Sequence, residues 1–248
     1  MRAIGPRREQ QRALAGAVLP KSDPTVERRI KSAQAALFAA MEPVSRLLMP
    51  QDVIVAAGEQ PGAIYRIQSG MLAERHILGG GRAHIASFLL PGDCFGVLPI
   101  ITGSKSTRSV EALAPSTVAV VAKTQLAKLR AENVEVDLAL MWLFCEAQIR
   151  RRDWESILAW GTAFEKIAAM LHYLCERTQR WQNSPDDPIR LPIGQREIAE
   201  HLGLTLPHVS RCLRQLRDTR LITSHYRTME IRDPVALSRY VATILGTG

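Results

Sequence analysis

The chemistry-bearing residues of this chain crowd towards its C-terminal end. From Ile189 onward there are nine arginines, at positions 190, 196, 211, 214, 217, 220, 227, 232 and 239. Five carboxylates (Glu197, Glu200, Asp218, Glu230 and Asp233) and no lysine accompany them, a net charge of +4 in one short stretch. The planar guanidinium fork suits bidentate pairing with the O6 and N7 edge of guanine and with phosphate oxygens, which an ammonium group meets only as a point charge. Within this stretch His208, Ser210, Arg211, Arg214 and Arg217 alternate with Val209, Cys212, Leu213 and Leu216. At 3.6 residues per turn that spacing puts the apolar set on one face of a helix and leaves the polar set on its other surfaces.

An element is needed to aim that helix, and the preceding residues supply one. Ile198, Ala199 and Leu202 give a short first helix an apolar face, and Gly203 ends it in the left-handed conformation that glycine tolerates. Leu204 lies under the corner. Thr205 is an N-cap for the second helix, and Pro207 fits its first turn, where the missing N–H costs nothing. Helix, glycine corner and second helix with arginine near its start make the helix-turn-helix pattern that reads a DNA major groove; a plain helical hairpin with a solvated basic face is the alternative. Leu221-Ile222 and Thr228-Met229-Glu230-Ile231, joined across His225-Tyr226-Arg227, add a two-stranded wing.

At 248 residues the chain can hold two domains, and its net charge of +8 suits a polyanionic partner. No stretch reads as a transmembrane span or a secretory signal, so a cytoplasmic protein is expected. The cysteines (Cys94, Cys145, Cys175 and Cys212) are widely spaced, as reduced thiols would be, and point to no metal site. No pair of catalytic carboxylates, nucleophile triad or metal cluster supports an enzyme.

In chain order, residues 1–24 read as a basic flexible arm. Val26 to Met41 has helical spacing, with Ile30, Ala33, Leu37 and Met41 on one side, and Val44 to Leu48 reads as a further helical turn before Pro50. From Gln51 the period becomes two. Strands are expected at Val53–Val55, Ala63–Gln68, Met71–Leu78, Arg82–Leu90, Arg108–Leu113 and Thr117–Ala122, with Gly/Pro turns between them. Gly79-Gly80-Gly81 reads as a hairpin turn and not a phosphate loop, since no Lys-Ser/Thr follows it. A short helix at Leu126–Leu129 and a long one at Val136–Trp160 follow. Leu138, Trp142, Cys145 and Ile149, then less cleanly Arg152 or Asp153, fall near a coiled-coil repeat, and the partner is either the barrel or the same helix of a second subunit. Ala163–Arg180 is a further amphipathic helix, Gln182–Pro188 a polar loop, and Pro234–Leu245 a last helix.

These parts together resemble the cyclic-AMP receptor/FNR (Crp/Fnr) superfamily of bacterial transcription regulators. Ile64-Tyr65-Arg66-Ile67-Gln68-Ser69-Gly70 is similar to the family's "lY-i-sG" strand and turn. Leu90-Pro91-Gly92-Asp93-Cys94-Phe95-Gly96 is similar to its "l-pGd-fG" turn, and Gln195 to Ile222, with Val209-Ser210-Arg211, to its DNA-reading helices. The resemblance spans about residues 51–240. It implies an α+β fold in four parts: the arm at 1–24, an antiparallel β-barrel or jelly roll of cyclic-nucleotide-binding type at 25–134, a dimerisation helix at 135–161, and a winged helix-turn-helix at 162–248.

It further implies a homodimer paired through Leu138, Trp142, Cys145 and Ile149 on a pseudo-palindromic double-stranded DNA operator, with RNA polymerase as a further partner. Ser210 and Arg211 would reach base edges. Gln195, Arg196, His225 and Arg227 would meet phosphates, and Thr205, Pro207, His208 and Arg214 complete the expected DNA-facing set.

The departures from the family pattern concern the effector. The family's nucleotide-binding members follow "fG" with a glutamate that grips the ribose. Here the chain reads Gly96-Val97-Leu98, and Arg108-Ser109 alone is kept from the phosphate-binding pair. Cyclic AMP is therefore not the expected effector of the Gly96, Val97, Leu98, Arg108 and Ser109 pocket. No cysteine precedes Cys94, which speaks against an iron–sulfur cluster. His76 and His84 lie in strands and leave haem open, beside an ordinary solvated role. A constitutive regulator with a vestigial pocket and a module answering to a small molecule or haem are the alternatives. Pro207 stands where several family members carry a glutamate, so the half-site is not the usual one.

Overall fold

The computed structural model describes residues 23–41, 45–181 and 187–244. The basic arm falls outside these residues but for its last two positions, as do most of the polar loop at 182–188 and the end of the last helix. The side chains of Arg152, Asp153 and Ile157 are also outside the description. The chain forms two compact units that divide after Ile149.

The first unit begins with α1 (Pro24–Met41), which buries Ile30, Ala33, Leu37 and Met41, the four residues that the helical period selects. Next comes β1 (Ser45–Leu48), where a helical turn was expected. Four residues carry too little period to decide, Met49 before Pro50 disfavours helix, and the register Ser45↔Ala119 to Leu48↔Ser116 closes the free edge of β8 (Ser116–Ala122). The remaining strands are β2 (Val53–Val55), β3 (Ala63–Ser69), β4 (Leu72–Ile77), β5 (Ala83–Leu89), β6 (Cys94–Phe95) and β7 (Ser109–Ala112). They form two antiparallel four-stranded sheets, ordered β1-β8-β3-β6 and β2-β7-β4-β5. The choice between barrel and jelly roll thus falls to the jelly roll.

Period-two alternation splits the strands between two cores. Tyr65, Ile67, Val118 and Val120 face Leu72, Leu89, Val110 and Ala112 between the sheets, with Tyr65 stacked on Phe95 at 4.9 Å. Their neighbours Ile64, Ala119 and Val121 face outward. There they meet Leu37 and Met41 of α1, Val97 and Ile100 of α2 (Val97–Thr102), Leu126 of α3 (Lys123–Glu132), and Val136, Leu140 and Leu143 of α4 (Glu135–Trp160). At the Ser69-Gly70 turn the backbone φ is +85°, and a Cβ at Gly70 would collide with Ser116, so only glycine fits. Gly80 and Gly81 also have positive φ, and Leu78 N–H donates to Arg82 O at 2.9 Å, which makes the glycine run a hairpin turn as expected.

The second unit is built on α5 (Ala163–Gln179). A capping box starts it: Thr162 Oγ accepts from Glu165 N–H, and the Glu165 carboxylate accepts from Thr162 N–H at 2.7 Å. Its buried residues, among them Ile167, Leu171 and Leu174, lie in an apolar face shared with α6 (Gln195–Leu202), α7 (Leu206–Asp218) and α8 (Pro234–Ile244). β9 (Ile189–Leu191), unforeseen in the sequence, joins β10 (Ile222–His225) and β11 (Thr228–Ile231) in an antiparallel sheet ordered β10-β11-β9. The four cysteines are free thiols; burial and the neighbouring Glu176 carboxylate push that of Cys175 up to about 12, so it is inert at neutral pH.

Candidate nucleic-acid interface

The corner between α6 and α7 forms as the local sequence requires. Gly203 has φ +66° and its N–H, like that of Leu204, bonds back to Ala199 O. Thr205 occupies the N-cap position of α7, but its side chain makes no capping bond; its carbonyl accepts from Val209 N–H at 3.0 Å. Pro207 lies in the first turn. Val209, Cys212, Leu213 and Leu216 are buried, as the spacing demands. On the opposite side Pro207, Arg211 and Arg214 are exposed at i, i+4 and i+7, a single helical stripe, with His208 and Ser210 half-buried beside it. Among the described residues, neither Arg211 nor Arg214 makes an ion pair.

The wing is tied to these helices at both ends. Arg217, at the end of α7, donates to Ser224 Oγ of β10 at 3.0 Å. At the other end stands Glu197, whose side chain is 2 % exposed. One of its oxygens accepts from Gly194 N–H at 2.8 Å, closing the start of α6. The other accepts from the Arg227 guanidinium, also at 2.8 Å. Burial alone would raise the Glu197 pKa, but the Gly194 N–H and the Arg227 charge outweigh it and hold the carboxyl below the usual range. Arg227, expected as a phosphate contact, thus also clamps Glu197, with its side chain 40 % exposed. Glu197 was missed in the sequence, although a glutamate three residues after a helix start is a capping signal.

Of the remaining expected residues, Gln195 and His225 are exposed. Arg196 is exposed and paired with Glu200 at 2.8 Å.

The expected effector residues differ in their surroundings. Val97 is buried in the outer core with Ile100, away from the space between the sheets, and Leu98 on the same short helix is 50 % exposed. Gly96 has φ +82°, and a Cβ there would lie 2.8 Å from Ala63 O. Arg108 is engaged by a residue the sequence reading did not name. Glu74, two positions along β4 from the intersheet residue Leu72, accepts from Arg108 at 3.3 Å and from Ser87 Oγ at 2.7 Å. Ser109 Oγ accepts from Ala57 N–H at 3.0 Å. The arginine and serine that would hold a ligand phosphate thus each have a partner within the fold.

His76 and His84 lie opposite each other on β4 and β5, and the Thr107 carbonyl 3.1 Å from His76 Nδ1 places the proton of the neutral ring on that nitrogen. Among the described residues no group of three or more His, Cys, Asp or Glu side chains could hold a metal ion.

In α4 the inner face consists of Val136, Ala139, Leu140 and Leu143. Leu138, Trp142 and Ile149, expected to be free for a partner, are half-buried, whereas Cys145 is exposed. Val134 just before the helix and Met141 are the exposed apolar residues, at 81 % and 56 %. Val134, Leu138, Met141 and Cys145 follow one another at steps of four, three and four, the spacing of a coiled-coil seam.

Fold and site together define a jelly roll joined to a winged helix-turn-helix. The chain matches the family model of the cyclic nucleotide-binding domain over residues 45–133 and that of the Crp-like helix-turn-helix domain over residues 165–240. It is 30 % identical over 189 residues to the nitrogen fixation regulation protein FixK of Rhizobium meliloti (strain 1021), covering 76 % of this chain and 82 % of that one. Over 192 residues it is 26 % identical to the transcriptional activator protein Anr of Pseudomonas protegens, covering 77 % and 78 %. Among solved structures, FixK2 from Bradyrhizobium japonicum superposes with a TM-score of 0.65 at 27 % identity, covering 79 % of this chain and 96 % of that one. The chain belongs to the Crp/Fnr family of DNA-binding transcription regulators, and is not an enzyme. Among the described residues no helix is long and apolar enough to cross a membrane.

Proposed function

We propose that the chain acts in the cytoplasm as a homodimer that reads a pseudo-palindromic operator, with Arg211 as its principal base contact. The observation that carries this reading is the exposed stripe Pro207, Arg211 and Arg214, opposite the buried face of α7. Arg211 lies near the start of the helix, where a recognition helix enters the groove, and its guanidinium can pair with O6 and N7 of one guanine. Ser210 and His208 border the same bases. Gln195, Arg196, Thr205, Arg214 and His225 meet the sugar–phosphate backbone. Arg227 acts on the wing through Glu197 and reaches a phosphate only with the donors that remain. The relatives' names, a nitrogen fixation regulator and a transcriptional activator, are consistent with this class and make RNA polymerase the expected further partner.

The domain limits follow the same reading: sensory 25–134, dimer helix 135–161, DNA-binding 162–248. The dimer seam runs along Val134, Leu138, Met141 and Cys145, with Trp142 and Ile149 at its edge. For the effector, the ion pair between Glu74 and Arg108 and the outward-packed Val97 support a domain at 25–134 that does not take a cyclic nucleotide; the chain would then bind DNA without one. No cofactor is assigned.

Arg211→Ala tests the base contact. On a duplex selected by the wild-type protein it should lose about 1–3 kcal/mol of discrimination at one base pair in each half-site. An unchanged base preference would remove Arg211 from the groove.

A further inference from the structure

α5 packs against α6, α7, α8 and β9, so the second unit closes on this one helix. A polar ring interrupts its buried face. The side chain of His172 is 5 % exposed, and Ala168, Ala169 and Cys175, a turn away on either side, are buried with it. Nδ1 of the ring has no hydrogen-bond partner. Nε2 lies 3.6 Å from Glu176 Oε1, too far for a hydrogen bond. Glu176 is half-buried and Arg180, one turn further, is exposed, so the three side chains run along one helical face from core to solvent. On the elements packed against α5, the buried titratable groups are Glu197 and His201 of α6 and Cys212 of α7. Glu200, paired with Arg196, is half-buried, as are His208, Arg217 and Tyr240, the last edge-on to Phe164. Arg190, Arg196, Arg211, Arg214, Asp218 and Arg239 are exposed. Among the described residues, Glu176 is the one charged side chain at ion-pair distance from His172.

A neutral imidazole carries one N–H and a protonated one carries two. Glu176 can accept the proton on Nε2 after a small approach, but the one on Nδ1 is left in an apolar core without an acceptor, where a charged donor costs more than a neutral one. We infer that His172 is an acid-sensitive latch on the DNA-binding unit: with the ring neutral, α5 seats α7 and the operator is bound, whereas protonation drives the ring towards water, loosens that seat and releases the DNA. This rests on the DNA-binding reading above. Burial holds the His172 pKa below the ordinary imidazole range. The stability it contributes is therefore whole above the ordinary histidine value and is lost as pH falls from there towards the folded one. Burial holds the Glu176 carboxyl above the ordinary range, so its own titration acts with the opposite sign and in more acid solution.

The test uses the full chain as wild type, His172→Leu and His172→Gln, each titrated onto the selected duplex from about pH 7.5 down to about pH 5.5, the range in which histidine changes charge. Neither replacement takes up a proton, and glutamine serves where leucine disturbs the core. Over this range wild type should lose about tenfold more affinity than either variant, the equivalent of one pKa unit between the packed and the loosened ring. His208 and His225 are present in all three proteins and cancel in the comparison. In DNA-free wild type, the carbon-bound ring proton of His172, followed by NMR, should titrate at lower pH than in the urea-unfolded chain. An equal loss of affinity in wild type and both variants would overturn the latch, as would a ring that titrates alike in the folded and unfolded chains. Wild-type protein that bound no duplex even at about pH 7.5 would instead sink the DNA-binding reading beneath it.

Discussion

At the residue scale, Glu197 shows how a buried carboxylate becomes a positioning device. It is almost wholly enclosed, and its two oxygens divide between the start of α6 and the wing. Removing one partner of a buried charge costs more than the pair contributes, because the other is left without compensation. Arg227→Ala should therefore destabilise the C-terminal unit by about 1–3 kcal/mol, read as a lower denaturant midpoint; an unchanged midpoint would show that the clamp is idle.

The pH dependence follows in sign. The folded pKa of Glu197 lies below that of an ordinary glutamate, so its stabilisation is fully present above the ordinary value and is lost as pH falls through the folded one. Glu197→Gln should flatten this acid limb of the unfolding curve. Neither Glu197 with Arg227 nor Glu74 with Arg108 could be paired from the sequence. Thirty residues separate the first pair and thirty-four the second, and only strand register and wing folding bring them together.

At the scale of elements, legibility tracked local period. α1 and α7 bury the residues their spacing selects, because a helical face is set within a few turns and the glycine corner and N-terminal proline fix the start of α7. β1, β6, α2 and β9 were misread or missed. Each has two to six residues, too few for a period, and each exists because a neighbouring sheet edge or core offers partners.

The α4 stripe was half legible. Leu138 and Cys145 are common to the expected and the exposed seam, but Met141 emerges only once Leu140 and Leu143 are seen to face inward. If Met141 lies in a dimer seam, Met141→Glu should give monomers in sedimentation and operator affinity at least tenfold weaker, since each half-site would then bind alone. An unchanged mass would place the interface elsewhere.

At the scale of the whole molecule, the family sets the plan of a jelly roll and a winged helix-turn-helix, and the residues give this member its particular character. Arg108 and Ser109, which the resemblance gives as phosphate contacts, bond within the fold to Glu74 and to Ala57 N–H. α7 carries Pro207 where several members of the family carry a glutamate, so one position of each half-site should be loosely specified. A two-fold dimer presenting α7 twice should need two half-sites about one helical turn apart. Selection of bound duplexes from a randomised pool, with the purified full chain and no added small molecule, measures all of this at once. The expected result is a pseudo-palindrome with a fixed guanine in each half-site, recovered without any effector. A non-palindromic consensus, or enrichment that appears only when a cyclic nucleotide is supplied, would contradict it.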